Sequence, residues 1–439
     1  MDLIEKIKEA GVVGAGGAGF PTHIKLGKKA DIVIANGAEC EPLLWKDKFL
    51  LNYKTFEVIE GLKAIINIVG AKKGIIALKE KHKDVVNSMR NAVSNETDFE
   101  IFLLDDFYPS GDEHILVNEI TGMVVPEGGI PSDIGILVHN IETLYNIQNA
   151  IKENSVTKKT VSIMGEVKNP QVITVPIGIS IRELIDFVGG ATVQNFKVII
   201  NGPMMGNVVD DNDIPIDKMT SGLLILPSDS YIVNKKSISF ERNIRLSKSV
   251  CLQCIECTIL CPRNLLGHSI EPHKIMRSIN YKKVEPINIF TSAFLCSECS
   301  VCEIYACVMG LSPKVFFNKL KKEFVVQGIK NPHHNDKPIP NMFKDERRIP
   351  FDRLINKLHL TKYNVIPEYD GISIYPSNVK INLTQHYGVP AEPIVHTGDK
   401  VKEGQIIGEI PDNKIGAKIH SSINGIVRKI NSKYIEISD

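Results

Sequence analysis

Eight of the nine cysteines fall in two short blocks, Cys251, Cys254, Cys257, Cys261 and Cys296, Cys299, Cys302, Cys307, leaving only Cys40 elsewhere. Cysteines this close together cannot close useful disulfide loops, and disulfide scaffolds are usually short secreted chains, whereas this chain has 439 residues. The spacing specifies metal ligands in a reducing compartment. The first block reads C-x2-C-x2-C-x3-C and runs into Pro262; the second reads C-x2-C-x2-C-x4-C. Three thiolates so spaced can wrap one face of an iron–sulfur cubane while a fourth arrives from a distance. The alternative is a pair of four-cysteine zinc sites, whose usual signature is two separated C-x2-C knuckles.

Lys and Arg total 52 against 51 Asp and Glu, which removes the electrostatic footprint of nucleic-acid binding. The basic run Lys319 to Lys322 shares a helical segment with Phe316, Phe317 and Leu320 and reads as a solvated face. No apolar run approaches the roughly 18 to 20 residues that span a bilayer, and Met1-Asp-Leu-Ile-Glu5 carries no targeting signal. The expectation is a cytoplasmic chain with no membrane span and no nucleic-acid partner.

The pattern predicts a multidomain α+β protein. Residues 1–155 read as α/β, with a short helix through Leu3, Ile4 and Ile7 and buried strands at Asp31 to Ala35 and Gly74 to Leu78. Residues 156–235 form a small β-rich module around one helix, Ser180 to Val188. Residues 240–325 carry the cysteines and end in a helix that Ser312 can cap, with Pro313 in its first turn. Residues 326–375 read as a linker, and 376–439 as a small all-β barrel or sandwich.

Gly14-Ala-Gly16-Gly17-Ala-Gly19 formally satisfies G-x-G-x-x-G, but a helical segment precedes it and Phe20-Pro21 follows at once. That context argues against an ordinary Rossmann site. What remains is a loop whose N–H groups can approach a phosphate, with Lys25 able to supply charge.

Gly14 to Lys25 resembles the corresponding segment of the flavin-carrying subunit of respiratory complex I, and three further stretches follow in the same order. These are Ala35-Asn-Gly-Ala-Glu-Cys-Glu-Pro42, Tyr108-Pro-Ser-Gly-Asp-Glu113 and Val138-His-Asn-Ile-Glu-Thr-Leu144. The resemblance implies FMN, with Gly14, Gly16, Gly17, Gly19, Lys25, Asn36, Glu39, Tyr108, Gly111, Glu113, Asn140 and Thr143 as its binding residues. Cys40 and Ser110 depart from that family's serine and glycine. Cys40 reads as a small buried residue without chemistry, since Glu39 and Glu41 disfavour its thiolate.

Met164 to Pro170 with Ile179 to Ile185 is similar to the β-grasp SLBB module. The cysteine blocks resemble bacterial two-cluster ferredoxins of the α-helical type. Their crossing rule implies Cys251, Cys254, Cys257 and Cys307 on one [4Fe–4S] cluster and Cys296, Cys299, Cys302 and Cys261 on the other. Gln385 to Ile407 resembles the barrel-sandwich hybrid of lipoyl-like carriers, where Lys414 reads as a solvated turn residue and His386 as a surface histidine.

The domain order, with the barrel last, resembles the cobalamin reductases of propanediol-utilisation microcompartments more than the related RnfC proteins of the Rnf complex. It implies an NADH-dependent oxidoreductase that passes electrons through FMN and two clusters to a corrinoid. The implied partners are that corrinoid, a corrinoid adenosyltransferase, and the shell or enzymes of a bacterial microcompartment. The alternative is a non-catalytic electron-transfer subunit of an Rnf-type or other reductase complex.

Overall fold

The computed structural model describes residues 2–281, 286–369 and 374–439. Apolar runs in the first third pair into one parallel sheet, in the order Phe99–Leu104, Lys73–Lys79, Ile32–Gly37, Ile136–Asn140. The two central strands are covered on both faces, so Val33, Ile34, Ile76 and Ala77 form a continuous buried run. The helices Thr55–Val69 and Ile141–Ile151 pack on one another over that sheet. They approach so closely at Gly61 that an added Cβ would stand 2.0 Å from the Leu144 carbonyl oxygen.

The chain leaves Ile32–Gly37 on one side and returns on the other through Ile136–Asn140. That reversal creates a switch point between the two strands, the place where open α/β sheets take ligands. Asn36 and Asn140 stand at its carboxyl rim.

The glycine segment is a loop pinched by a bridge between Val13 and Pro21. It is entered from the helix Leu3–Glu9, which Asp2 caps through Ile4 N and Glu5 N.

Residues 158–227 form a five-stranded sheet with the helix Ile181–Phe187, whose Ser180 and Glu183 make a reciprocal capping box. Short helices surround the cysteine blocks, and the chain closes on a four-stranded and a three-stranded antiparallel sheet. Lys218, fully buried, ties three of these parts together by donating to the Gly11 and Lys418 carbonyls at 2.7 and 2.9 Å. Among the described residues, no helix is long and apolar enough to cross a membrane.

Four sequence expectations need correction. The linker assigned to 326–375 is partly core: Ile349–Pro350 pairs with Phe107–Tyr108, and Phe351, Leu354, Ile355 and Leu358 are buried. The polar stretch ahead of Ile349 masked a short helix of apolar period, Phe351–Lys357. Residues 370–373 of that linker lie outside the described residues. Ser312 makes no side-chain cap bond, because its hydroxyl takes Lys235 at 2.9 Å instead. His386 is buried rather than superficial, with its ring against the Val389 carbonyl at 2.9 Å. Lys321 is not a free surface charge but donates to the Cys296 carbonyl at 2.7 Å.

Candidate functional site

A cavity of about 470 Å³ opens at the switch point, within the roughly 300 to 1,000 Å³ of small-molecule clefts. Gly14, Gly16, Lys25, Asn36, Glu39, Gly111, Glu113, Asn140 and Thr143 line it. Gly17, Gly19 and Tyr108 do not. Gly19 instead turns the loop at φ +65° against Met219 and His386, where a Cβ would meet Met219 Sδ at 2.6 Å. Tyr108 is buried beside the cavity, and its hydroxyl donates to the Cys299 carbonyl oxygen at 2.8 Å.

The sheet presents these groups by fixing their neighbours. Asn36 donates to the Gly111 carbonyl at 2.9 Å, so the first strand holds the loop that follows the third. Asn140 caps the helix Ile141–Ile151 through Glu142 N and donates to Asp47 at 2.6 Å. Ala15 N donates to Thr143 Oγ1 at 2.9 Å, anchoring the glycine loop to that helix. The Gly14 and Gly19 amides are likewise spent, on the Phe20 and Gly14 carbonyls. The amides of Gly16 and Ala18, which line the cavity, are not drawn into those bonds, so they are the part of the loop free to meet a phosphate.

Electrostatics divide the cavity wall. Lys25 donates to the Val138 carbonyl and stands 3.7 Å from Glu113. Lys46 is buried with Asp47 at 2.6 Å and Glu142 at 3.3 Å. Burial alone would raise Glu142, but Lys159 and Lys46 hold it below the usual carboxylate range. Glu39 is raised to about 7 by burial and by neighbouring Asp47, although the Asp47 amide donates to its carboxylate at 2.9 Å. Cys40 is raised to about 11, chiefly by burial, consistent with an inert thiol.

The thiols separate into two groups. Cys251, Cys254, Cys257 and Cys307 line one small cavity among Leu252, Ile255, Met276 and Leu311. Cys302 is pushed up by burial, then by Glu303, Cys296, Cys299 and Cys261; Cys299 is pushed up by burial, then by Cys261 and Cys296. Each thiol block wraps in the same way. Gln253 and Ile255 have φ of 54° and 70°, and the equivalent Glu298 and Ser300 have 62° and 63°. Such left-handed turns are costly for non-glycine residues, above all for isoleucine, and they mark a functional constraint. Leu311 N and Glu298 N donate to Cys307 and Cys296 Sγ at 3.2 and 3.4 Å, as cluster sulfurs usually require. Among the described residues, no three His, Cys, Asp or Glu side chains have the spacing to hold a single metal ion.

The two regions meet at Cys299, which lines the main cavity together with Ser297 and Arg263. Sequence reasoning missed Arg263, His139, Lys46 and Asp47 on that wall. Lys46 and Asp47 lie between Leu43-Leu-Trp45 and Phe49-Leu-Leu51, and both are buried. Glu41 was also missed; it joins the first domain to the next by accepting from the Met204 and Met205 amides.

Residues 7–149 match the Nuo51 FMN-binding domain, 160–208 the SLBB domain, 250–312 a 4Fe-4S dicluster domain and 359–438 the RnfC barrel sandwich hybrid domain. The chain is 37 % identical to the cobalamin reductase PduS of Citrobacter freundii over 438 residues, 99 % of this chain and 95 % of that one. It is 36 % identical to the Salmonella typhimurium PduS over 441 residues, 99 % and 96 % of the two chains. The RnfC-type component of the Na(+)-translocating ferredoxin:NAD(+) oxidoreductase complex of Acetobacterium woodii is 37 % identical over 271 residues, 60 % of this chain and 58 % of that one. Among solved structures, an NAD+-reducing [NiFe]-hydrogenase in its H2-reduced state superposes with a TM-score of 0.50 at 18 % identity. That match covers 76 % of this chain but 63 % of the hydrogenase chain, and it shows shared fold alone. With FMN-binding and 4Fe-4S domains on one chain and 37 % identity to PduS over 99 % of this chain's length, the protein is an electron-transfer oxidoreductase of the cobalamin reductase PduS family.

Proposed function

We propose that the chain takes electrons from NADH at an FMN in the switch-point cavity and delivers them through two [4Fe–4S] clusters to a corrinoid. The observation that carries this reading is the double role of Cys299, which borders the cavity and belongs to the thiol group of Cys261, Cys296 and Cys302. When bound, FMN exchanges two electrons with a nicotinamide and releases them singly, and iron–sulfur clusters carry single electrons.

The residues divide that work. The Gly16 and Ala18 amides receive the phosphate, and Asn36, Gly111 and Asn140 shape the rim. Glu39, with its raised carboxyl, holds or releases a proton at the cavity wall near neutral pH. The two thiol groups ligate the clusters in the crossed arrangement, with the Cys299 group nearest the cavity. Cys254 is exposed, so the second group supplies the outlet. A corrinoid, presented free or by an adenosyltransferase inside a microcompartment, is the acceptor.

The similarity to the RnfC-type protein over 60 % of the chain favours one rival, an electron-transfer component that never meets free NADH. Anaerobic iron, sulfide and flavin analysis tests the cofactor content. Two [4Fe–4S] centres give about eight irons per chain beside one acid-released FMN; about two zincs with no reducible signal, as four-thiolate zinc sites would give, overturn the reading.

A further inference from the structure

Arg263 follows Cys261-Pro262 directly, and it is 9 % exposed on the cavity wall beside Ser297 and Cys299. One terminal nitrogen is anchored on Asp112 Oδ2 at 2.9 Å. Asp112 is itself fixed, because its other oxygen accepts from His114 N and Ile115 N at the start of the helix Glu113–Thr121. The guanidinium is therefore held at one corner while Nε and Nη1 have no partner in the protein. Buried donors are almost always satisfied, and a guanidinium presents its donors in a rigid planar fork. Both atoms are closed to solvent as well as unpaired, so what the guanidinium offers a ligand in the cavity that Arg263 lines is its charge.

The other cations of that wall are already engaged. Lys25 is spent on Val138 O and Glu113, and Lys46 on Asp47 and Glu142. His114, beside Arg263, is lowered to about 2 by burial first and by Arg263 second, so it stays neutral. A phosphate already has the glycine-loop amides. The wall that Arg263 shares with Cys299 is where the redox-active ring must approach the thiol group. Adding two electrons and one proton to the neutral oxidised ring makes it an anion, which a buried guanidinium favours over the neutral form.

We propose that Arg263 is a redox-state-selective flavin contact, binding the ring of reduced FMN in preference to oxidised FMN and thereby raising the flavin potential beside the Cys299 thiol group. Arg263 thus serves two elements, since it follows Cys261-Pro262 in the chain while its side chain lines the cavity. Asp112 opposes it, because its carboxylate partly neutralises the same guanidinium.

This rests on the FMN reading, and a wild-type protein that binds no FMN would fail that reading before the inference is reached. The test uses anaerobic, cluster-replete protein and FMN itself, measuring affinity for oxidised and reduced FMN together with the flavin midpoint potential. In Arg263→Gln, oxidised FMN should bind within about threefold of wild type and reduced FMN about tenfold more weakly, a fall of roughly 30 mV for a two-electron couple. Arg263→Lys, which keeps the charge, should show less than half that fall. Asp112→Asn keeps a good helix cap and should move the potential the opposite way. This second variant decides the matter if Arg263→Gln does not fold. Equal weakening of both redox forms, or an Asp112→Asn shift in the same direction as Arg263→Gln, would overturn the proposal.

Discussion

The Tyr108 hydroxyl donates to the Cys299 carbonyl oxygen at 2.8 Å, joining the loop after the third strand of the parallel sheet to the second cysteine block. Both residues sit in one buried cluster with Leu43, Val301, Ile304 and Ile349. The bond fixes the thiol group against the cavity wall. Tyr108→Phe leaves that carbonyl unpaired in an apolar setting, at a cost of about 1 to 2 kcal/mol. Thermal unfolding should register the loss while flavin and iron contents stay near wild type.

Gly16 faces Asn140, and an added Cβ would lie 3.3 Å from Asn140 Cβ. The first carbon is tight and the two γ carbons of valine must turn into the cavity or into Asn140. Gly16→Val should therefore lose acid-released FMN, with iron unchanged, because the thiol groups lie on other segments. Retention of flavin in this variant counts against phosphate binding by the glycine loop.

The two thiol groups should be separable. Cys299→Ser should remove the cluster nearest the flavin and Cys254→Ser the outer one, each leaving about four irons per chain. Only Cys299→Ser should slow electron exit from reduced flavin itself, since Cys254 is not on the cavity wall. Cluster-resolved EPR during anaerobic reduction distinguishes the two.

Much of this arrangement was legible because certain residues carry their chemistry in local spacing. Cys251 to Cys261 and Cys296 to Cys307 announce a metal-bound fold without any knowledge of the helices around them. The Asn36 and Asn140 segments were recognisable only through their resemblance to the flavin subunit of respiratory complex I, in which they are two of four ordered matching stretches. Arg263 was not, since nothing in a lone arginine after Cys-Pro says that Asp112, 151 positions away in sequence, will anchor it. Lys46 and Asp47 were passed over for a related reason: burial of a charged pair depends on Asn140 and Glu142 arriving from a distant strand and helix. Ile349 to Leu360 was hidden by the polar stretch that precedes it.

Glu39 makes a pH prediction for flavin-free protein. Its folded carboxyl is raised to about 7 against an ordinary value of 4.5, so the folded state holds the proton more tightly than the unfolded chain. The stabilisation is full below about 4.5 and is lost as pH rises toward 7. Glu39→Gln should flatten that decline, by on the order of 2 kcal/mol between the two ends of the window. Denaturant midpoints across that range check it, and an unchanged slope in the variant would contradict the sign.

The most direct measurement is anaerobic stopped-flow of flavin- and cluster-replete protein mixed with NADH alone, then with cob(II)alamin, for wild type and Cys254→Ser. The expected result is flavin bleaching by NADH in both proteins, with corrinoid reduction in wild type only, because hydride transfer lies upstream of the outer thiol group. Flavin that does not bleach with NADH, yet reduces when a chemical reductant or partner supplies electrons, would contradict a self-contained reductase and leave an electron-transfer component in its place.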